Sequence, residues 1–441
     1  MGYAALNMNN TASALRYKPT NFIDDVIEDL KIAYLSDSKP WVVGFSGGKD
    51  STALVQFVFY MLMELPPRQR HKKVFIIASD TLVEMPSIEK RIMQEVSLMQ
   101  EAAEKHNLPI EVHRVYPELL NRFWVSLIGK GYPSPVSRFR WCTDRLKIDP
   151  TSKFIREKVS QFGAVVIVLG SRIAESSTRA QIMEAYRIEG QRFRPHKSLA
   201  KAWVYMPIQD LSNNQVWDYL LTLDNPWEGD NEGLAMLYKM ASGGECPMVI
   251  DETTPPCGNS RFGCWTCTVV ERDKSMESLV ASGEEKFKPL LEFRDYLREI
   301  RGQDWARMNK RKNGSEGKGP FTYEVRHDLL KRLLRLQKEV DEVLIQGDEL
   351  AAIKEMWALE GQPVDMVDRI WRHVYEEEPM PEGKENPALS KEEQLLEDVC
   401  KEYEIPFEMM RRLRDLEEEY GSLRRRHGLP ELMRETVKQA V

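Results

Sequence analysis

The sequence predicts an α/β fold: a parallel β-sheet with helices on both faces, followed by a cysteine-rich segment and a charged helical region. Three features predict it. Over about the first 225 residues, four short apolar runs, WVVGFS (41–46), VFIIASD (74–80), IEVHRVYP (110–117) and AVVIVLGS (164–171), alternate with helical patterns. Such alternation is the mark of parallel strands joined by crossover helices. Three of the runs end in the polar motifs SGGKDS, SDT and GSR, at the carboxyl ends of strands, where open α/β sheets bind ligands. The pattern then breaks over 242–275, a stretch rich in Gly, Pro and Cys, and from 276 the chain turns helical and highly charged.

A chain of 441 residues exceeds the roughly 250–300 residues at which one core stops growing, so two domains are expected. The expected segments are a nucleotide-binding α/β domain at 1–241, a metal-organised segment at 242–275 and a helical region at 276–441. Within the last, EEEPMPEGKENP marks a solvated linker at about 376–388. The stripe Leu329, Leu333, Leu336, Val340 and Val343 alternates spacings of four and three, which predicts a helix burying one apolar face.

With 42% hydrophobic and 30% charged residues, the chain can bury a core beneath a polar surface. A net charge of -7 and a pI near 5.7 exclude bulk electrostatic coating of nucleic acid. Any such contact rests on local basic islands, at 138–147, 192–201 and 307–312. No apolar run approaches the ~18 residues that cross a bilayer, and MGYAALNMNN does not read as a signal peptide, so no membrane association and a cytoplasmic location are expected. In that reducing compartment the six cysteines are expected as thiols or metal ligands, not disulfides.

The most informative segment is Ser46-Gly47-Gly48-Lys49-Asp50-Ser51, between an apolar strand and a helical pattern. Two glycines let the backbone approach a phosphate, successive N–H groups form an anion nest, and the helix start adds its positive dipole end. The segment is not a Walker A loop, because no second glycine precedes the lysine and Asp50 stands where Ser or Thr would hold magnesium. It resembles the PP-loop of ATP pyrophosphatases, SGGxDS. That resemblance implies that ATP is split into AMP and pyrophosphate, with Lys49 neutralising developing phosphate charge and Asp50 helping to position Mg2+.

Further motifs resemble the branch of this superfamily that includes phosphoadenosine phosphosulfate reductase. They are Asp80-Thr81 with Glu84 and Pro86, Arg140-Trp141-Cys142 with Leu146-Lys147 and Pro150, Gly170-Ser171-Arg172 with Glu175 and Arg179, and Pro207-Ile208 with Asp210 and Trp217. Asp80, Gly170, Arg172 and Arg179 are expected at the nucleotide, the arginines holding phosphates bidentately as lysine does not. Sulfonucleotide reductases attack with a cysteine near the C-terminus, whereas this sequence ends RETVKQAV and its last cysteine, Cys400, lies within a helical pattern. A buried structural thiol is expected there.

Cys246, Cys257, Cys264 and Cys267 are separated by ten, six and two residues. Four thiolates from one irregular segment suit tetrahedral zinc or an iron–sulfur cluster, and the spacing accommodates either. A reductase-like PP-loop domain followed by this segment and a charged helical tail resembles the DndC family of DNA phosphorothioation sulfurtransferases. The likeness spans roughly 20–275 and implies a 4Fe–4S cluster, a cysteine desulfurase as sulfur donor, a DNA-binding ATPase among the partners, and replacement of a DNA backbone oxygen by sulfur. Cys142 stands among Arg138, Arg140, Arg145 and Lys147, cations that would favour the thiolate that accepts persulfide sulfur. The rival readings are a sulfonucleotide reductase, an iron–sulfur RNA thiolase and a non-catalytic assembly subunit.

Overall fold

A computed structural model of the chain describes residues 21–175, 191–241, 263–311 and 314–376, with residue 181, residues 380–381 and parts of 395–440. Arg179, Cys246, Cys257 and most of the expected linker lie outside the described residues.

The sheet has six strands in the order β3-β2-β1-β4-β6-β5: β1 Trp41–Phe45, β2 Val74–Ser79, β3 Ile110–Val115, β4 Val165–Val168, β5 Arg194–Pro195 and β6 Ala202–Tyr205. All neighbours are parallel except the short edge pair β5–β6. The α/β expectation and the four expected strands hold. The chain runs outward from β1 to β3 and then returns to β4 on the other side of β1. Strand order therefore reverses between β1 and β4, the topological switch point at which such sheets open a ligand crevice.

Helix α1 (Asn21–Leu35) leads into β1, α2 (Lys49–Glu64) follows it, and α3 (Pro86–Lys105) connects β2 to β3. Every residue of α2 from Ser51 to Leu62 is buried, as befits a helix apolar on all sides at the centre of a domain. The ring of Phe57 on α2 stacks on Tyr219, with centroids 3.8 Å apart.

The chain divides into two compact units, one comprising Met1–Glu118 and Arg145–Arg294, the other Leu119–Asp144 and Asp295–Val441. These units are not the linear segments expected from the sequence, since 119–144 joins the C-terminal helices. Buried polar bonds explain this. In the second unit Trp124 donates its indole N–H to the Leu344 carbonyl at 2.7 Å, and Arg122 pairs with Asp348 at 2.7 Å. The guanidinium of Arg326 donates to the carbonyls of Ile128, at 2.8 Å, and Gly129. Arg326 belongs to the helix Tyr323–Val340, which buries Leu329, Leu333 and Leu336 as its stripe requires. The stripe stops short of its expected end: Asp341 turns left-handed at φ 52°, and Val343 is exposed beyond the helix.

Candidate nucleotide site and cysteine turn

The loop after β1 is shaped by its glycines. Gly47 has φ +71°, and a Cβ there would lie 2.6 Å from Ile92 of α3, so both backbone and space demand glycine. Gly48 caps α2 in an extended conformation without a side-chain cap, so no capping side chain takes the first helical N–H groups, the donors to which a helix start binds anions. The Ser51 hydroxyl holds the turn closed, donating to the Gly48 carbonyl at 2.9 Å and accepting from the Ser46 N–H at 3.1 Å.

Three charges meet behind this loop. Arg172, 2% exposed, places Nε 2.6 Å from Asp50 Oδ1, and Lys49 Nζ lies 3.1 Å from Asp50 Oδ2. Arg172 also donates Nη1 to the Leu211 carbonyl at 2.9 Å. Two of its donors therefore hold the loop and the chain after β6 together, a role the expectation of a bidentate phosphate clamp did not include. Gly170 makes this approach possible, since a Cβ there would stand 2.8 Å from the Asp50 carbonyl oxygen. Tyr238 is a site residue that no sequence motif indicated. Its ring lies 5.3 Å from Lys49 Nζ, and its hydroxyl is 3.4 Å from the Lys49 amide.

At the end of β2, Asp80 accepts from Arg114 Nε at 2.6 Å and from the Leu82 amide at 2.7 Å. Leu82 is held at φ 60°. The Glu89 carboxyl beside them is pushed above its ordinary range by burial and by the Asp80 charge.

The same loop carries the cysteine turn. Glu84 and Cys264 form an antiparallel bridge, Trp265 donates its amide to the Val83 carbonyl at 3.1 Å, and Cys267 donates to the Cys264 carbonyl at 3.0 Å. Cys264 Sγ lies 3.3 Å from Thr81 Oγ1, which is itself 2.9 Å from Glu84 Oε1. Lys147 Nζ is 3.9 Å from the same Glu84 oxygen. Buried Arg294 secures the turn from behind, donating to the carbonyls of Cys267 at 2.8 Å, Glu271 at 3.0 Å and Val270. This clamp also had no sequence signal. Burial, and then the Glu84 carboxylate, push the Cys264 thiol up; a bound cation would reverse that preference.

The turn suits a thiolate-bound metal. Two cysteines share one tight CxxC turn, and between them the buried Thr266 hydroxyl finds no hydrogen-bond partner among the described residues, a donor matched to a sulfur acceptor. Among the described residues no group of three or more ligating side chains comes together.

Cys142 lies in the helical turn Trp141–Thr143 of the second unit and is partly exposed. Trp141 stacks on Phe123 at 5.4 Å and donates to the Pro133 carbonyl at 3.0 Å. Just before it, Val136 and Phe139 close a tight turn that leaves Arg138, Phe139 and Arg140 exposed. Within the same island Arg145 is buried. In the other two islands Arg192 pairs with Asp29 at 2.7 Å and Arg307 donates to the carbonyls of Gly319 and Arg301.

Beside the Arg172 anchor, a cleft of about 620 Å³ opens between α1 and the carboxyl end of β6, lined by Asp29, Arg192, Arg194, Tyr205, Gln209 and Leu211 among others. Among the described residues no helix is long and apolar enough to cross a membrane.

A family model described as the phosphoadenosine phosphosulfate reductase domain matches residues 40–270. An uncharacterized protein of Methanocaldococcus jannaschii is 27% identical over 251 residues, 57% of this chain and 41% of its own length. The chain thus spans less than half of that relative. Among solved structures, the phosphoadenylyl-sulfate reductase of Candida auris aligns over 46% of this chain and 87% of its own, at 13% identity and a TM-score of 0.26. The U34-tRNA thiolase NcsA of Methanococcus maripaludis, described with its 4Fe–4S cluster, aligns over 63% of this chain and 80% of its own, at 11% identity and a TM-score of 0.29.

Proposed function

The chain belongs to the phosphoadenosine phosphosulfate reductase domain family, and on that footing we propose that it is a sulfurtransferase that cleaves ATP to AMP and pyrophosphate. The substrate we propose is a DNA backbone phosphate, one oxygen of which is activated for replacement by sulfur. The observation that carries the reading is a single loop, Asp80–Glu84, that leaves β2 beside the end of β1, where the Ser46–Ser51 loop begins, and holds the CxxC turn at its other end.

In this reading the pyrophosphate end of ATP lies on the N–H groups after Gly47, with Lys49 offsetting the charge that builds as pyrophosphate leaves. Asp50 and Arg172 keep Lys49 and the nest in place. Magnesium, a hard cation that prefers oxygen, would arrive with the nucleotide and meet the loop at the Asp50 carboxylate. A substrate phosphate oxygen attacks the α-phosphorus and pyrophosphate departs; the outer sulfur of a Cys142 persulfide then attacks the substrate phosphorus and displaces AMP, and an external thiol reductant cleaves the resulting Cys142–S–S–P bond to release the phosphorothioate. A cysteine desulfurase would supply that sulfur, and a DNA-binding ATPase would choose the site. Cys142 is the proposed sulfur-carrying thiol. Arg138, Phe139 and Arg140 offer DNA two cations and an aromatic face.

A thiolate-bound metal at Cys264 and Cys267, with Cys246 and Cys257 as the remaining ligands, would supply sulfur-based electron or sulfide chemistry; we assign it as a 4Fe–4S cluster, with zinc as the other occupant that thiolates suit. The reductase reading is disfavoured by Cys400, which is buried at 3% exposure, as a structural thiol is.

The test is the fate of sulfur. The chain is incubated with ATP, DNA, a cysteine desulfurase and isotopically labelled cysteine, and the DNA is digested and analysed by mass spectrometry. Labelled phosphorothioate linkages support the reading. Label found in tRNA bases or as sulfite, under matched conditions with those substrates, assigns the chain to the thiolase or reductase class.

A further inference from the structure

We infer that Thr81 is a positioning residue for the sulfur of Cys264, fixing and tuning the metal centre from the loop that leaves β2 beside the end of β1. The inference rests on the reading of Cys264 as a metal ligand. Thr81 is fully buried and follows directly on Asp80 at the end of β2. Its hydroxyl lies 3.3 Å from Cys264 Sγ and 2.9 Å from Glu84 Oε1, and the bridge between Glu84 and Cys264 fixes the two segments against each other. The contact joins residues 183 positions apart in sequence.

The hydroxyl has one proton and two neighbours. Thr81 Oγ1 donates to Glu84 Oε1, either atom can donate across the Thr81–Cys264 contact, and Cys264 Sγ is itself 3.9 Å from the same Glu84 oxygen. When the sulfur binds a metal its own proton leaves, and a threonine oxygen lone pair would then face a thiolate. Rotation about the Cβ–Oγ1 bond turns the hydroxyl proton onto sulfur and gives up its bond to Glu84, whose carboxylate has Lys147 Nζ at 3.9 Å as its remaining cation. A hydrogen bond to a ligating sulfur draws charge from the metal centre. It raises the centre's reduction potential and fixes the ligand's orientation.

The experiment compares the full chain with Thr81→Val, which keeps the shape and loses the hydroxyl, and with Thr81→Ser, which restores the hydroxyl. Each is loaded anaerobically with iron and sulfide, or with zinc alone, and challenged with a chelator. Thr81→Val is expected to bind metal about 10-fold more weakly and, in the iron form, to show a lower midpoint potential, with Thr81→Ser returning both toward wild type. Metal affinity and potential equal to wild type in Thr81→Val would overturn the inference and leave the metal assignment standing. A wild-type chain that takes up neither iron nor zinc would overturn the metal assignment, and the inference with it. If Thr81→Ser loses metal as Thr81→Val does, the hydroxyl is not the operative group and the inference fails.

Discussion

Asp50 and Arg172, 122 positions apart, meet at 2.6 Å beneath the nucleotide loop, and through them the start of α2 is fastened to the end of β4. Removing one partner of such a pair strands a charge in a largely buried setting, which costs about 3 kcal/mol. Arg172→Ala should lose that much stability in denaturant titrations. Arg172→Lys should recover little, because one ammonium does not reproduce the fork that serves both Asp50 and the Leu211 carbonyl. A lysine variant as stable as wild type would show that the pair is dispensable.

Gly170 sets how closely β4 approaches the loop. In Gly170→Ala the new methyl would stand 2.8 Å from the Asp50 carbonyl oxygen, so the backbone of the loop must move, at about 1–3 kcal/mol. Because that movement displaces the anion nest, ATP affinity measured by calorimetry should fall about 10-fold or more. Gly302→Ala is the control: a Cβ there meets nothing within 4 Å, and affinity should hold. Equal affinity in Gly170→Ala would mean that the nest does not depend on this contact.

Glu349, in the first turn of the helix Gly347–Leu359, is buried at 2% exposure, and burial pushes its carboxyl up to about 7 from an ordinary 4.5. The folded state therefore holds this proton more tightly than the unfolded chain does. The stability is fully present below the ordinary value and is lost as pH rises through about 7, by about 3 kcal/mol in all. Glu349→Gln keeps an acceptor for the Gln346 amide, now 3.0 Å from the carboxylate, and removes the charge. Its stability should be nearly flat between about pH 5 and 8 where that of wild type falls; parallel profiles for the two proteins would refute the assignment.

On the proposed DNA reading, the turn that carries Arg138 and Arg140 is the contact to test first, since Arg192 is paired with Asp29 and Arg307 with backbone carbonyls. Binding of a short duplex should be weak, salt-sensitive and indifferent to sequence. The double variant Arg138→Ala/Arg140→Ala should lower the log–log salt slope by about 2. An unchanged slope places DNA elsewhere, and tight sequence-selective binding by the chain alone would contradict delegation of site choice to a partner.

Much of this architecture was legible locally. Strands β1 to β4 declare themselves as apolar runs, and Ser46 to Ser51 form a complete motif in six consecutive residues. Strands β5 and β6 escaped because one is two residues long and contains Pro195, and the other spans only Ala202–Tyr205; their pairing is a product of the sheet, not of periodicity. Contacts across long separations had no signature either. The sequence offered Arg172 as a free phosphate clamp, and its attachment to Asp50 appears only when β1 and β4 lie side by side. The same holds for Thr81 against Cys264, for Arg294 beneath the cysteine turn, and for Arg326, whose bonds to Ile128 and Gly129 draw the 119–144 segment to the C-terminal helices.

The central claim, that the loop from Ser46 to Ser51 directs cleavage between the α- and β-phosphates, is tested most directly by the products of ATP turnover. With substrate and ATP labelled in parallel reactions on the α- or the γ-phosphate, chromatography should show labelled AMP from the first and an equal amount of labelled pyrophosphate from the second. Lys49→Ala should slow their release by about 2–4 kcal/mol of lost transition-state stabilisation. Formation of ADP and phosphate, or an unchanged rate in Lys49→Ala, would contradict the account.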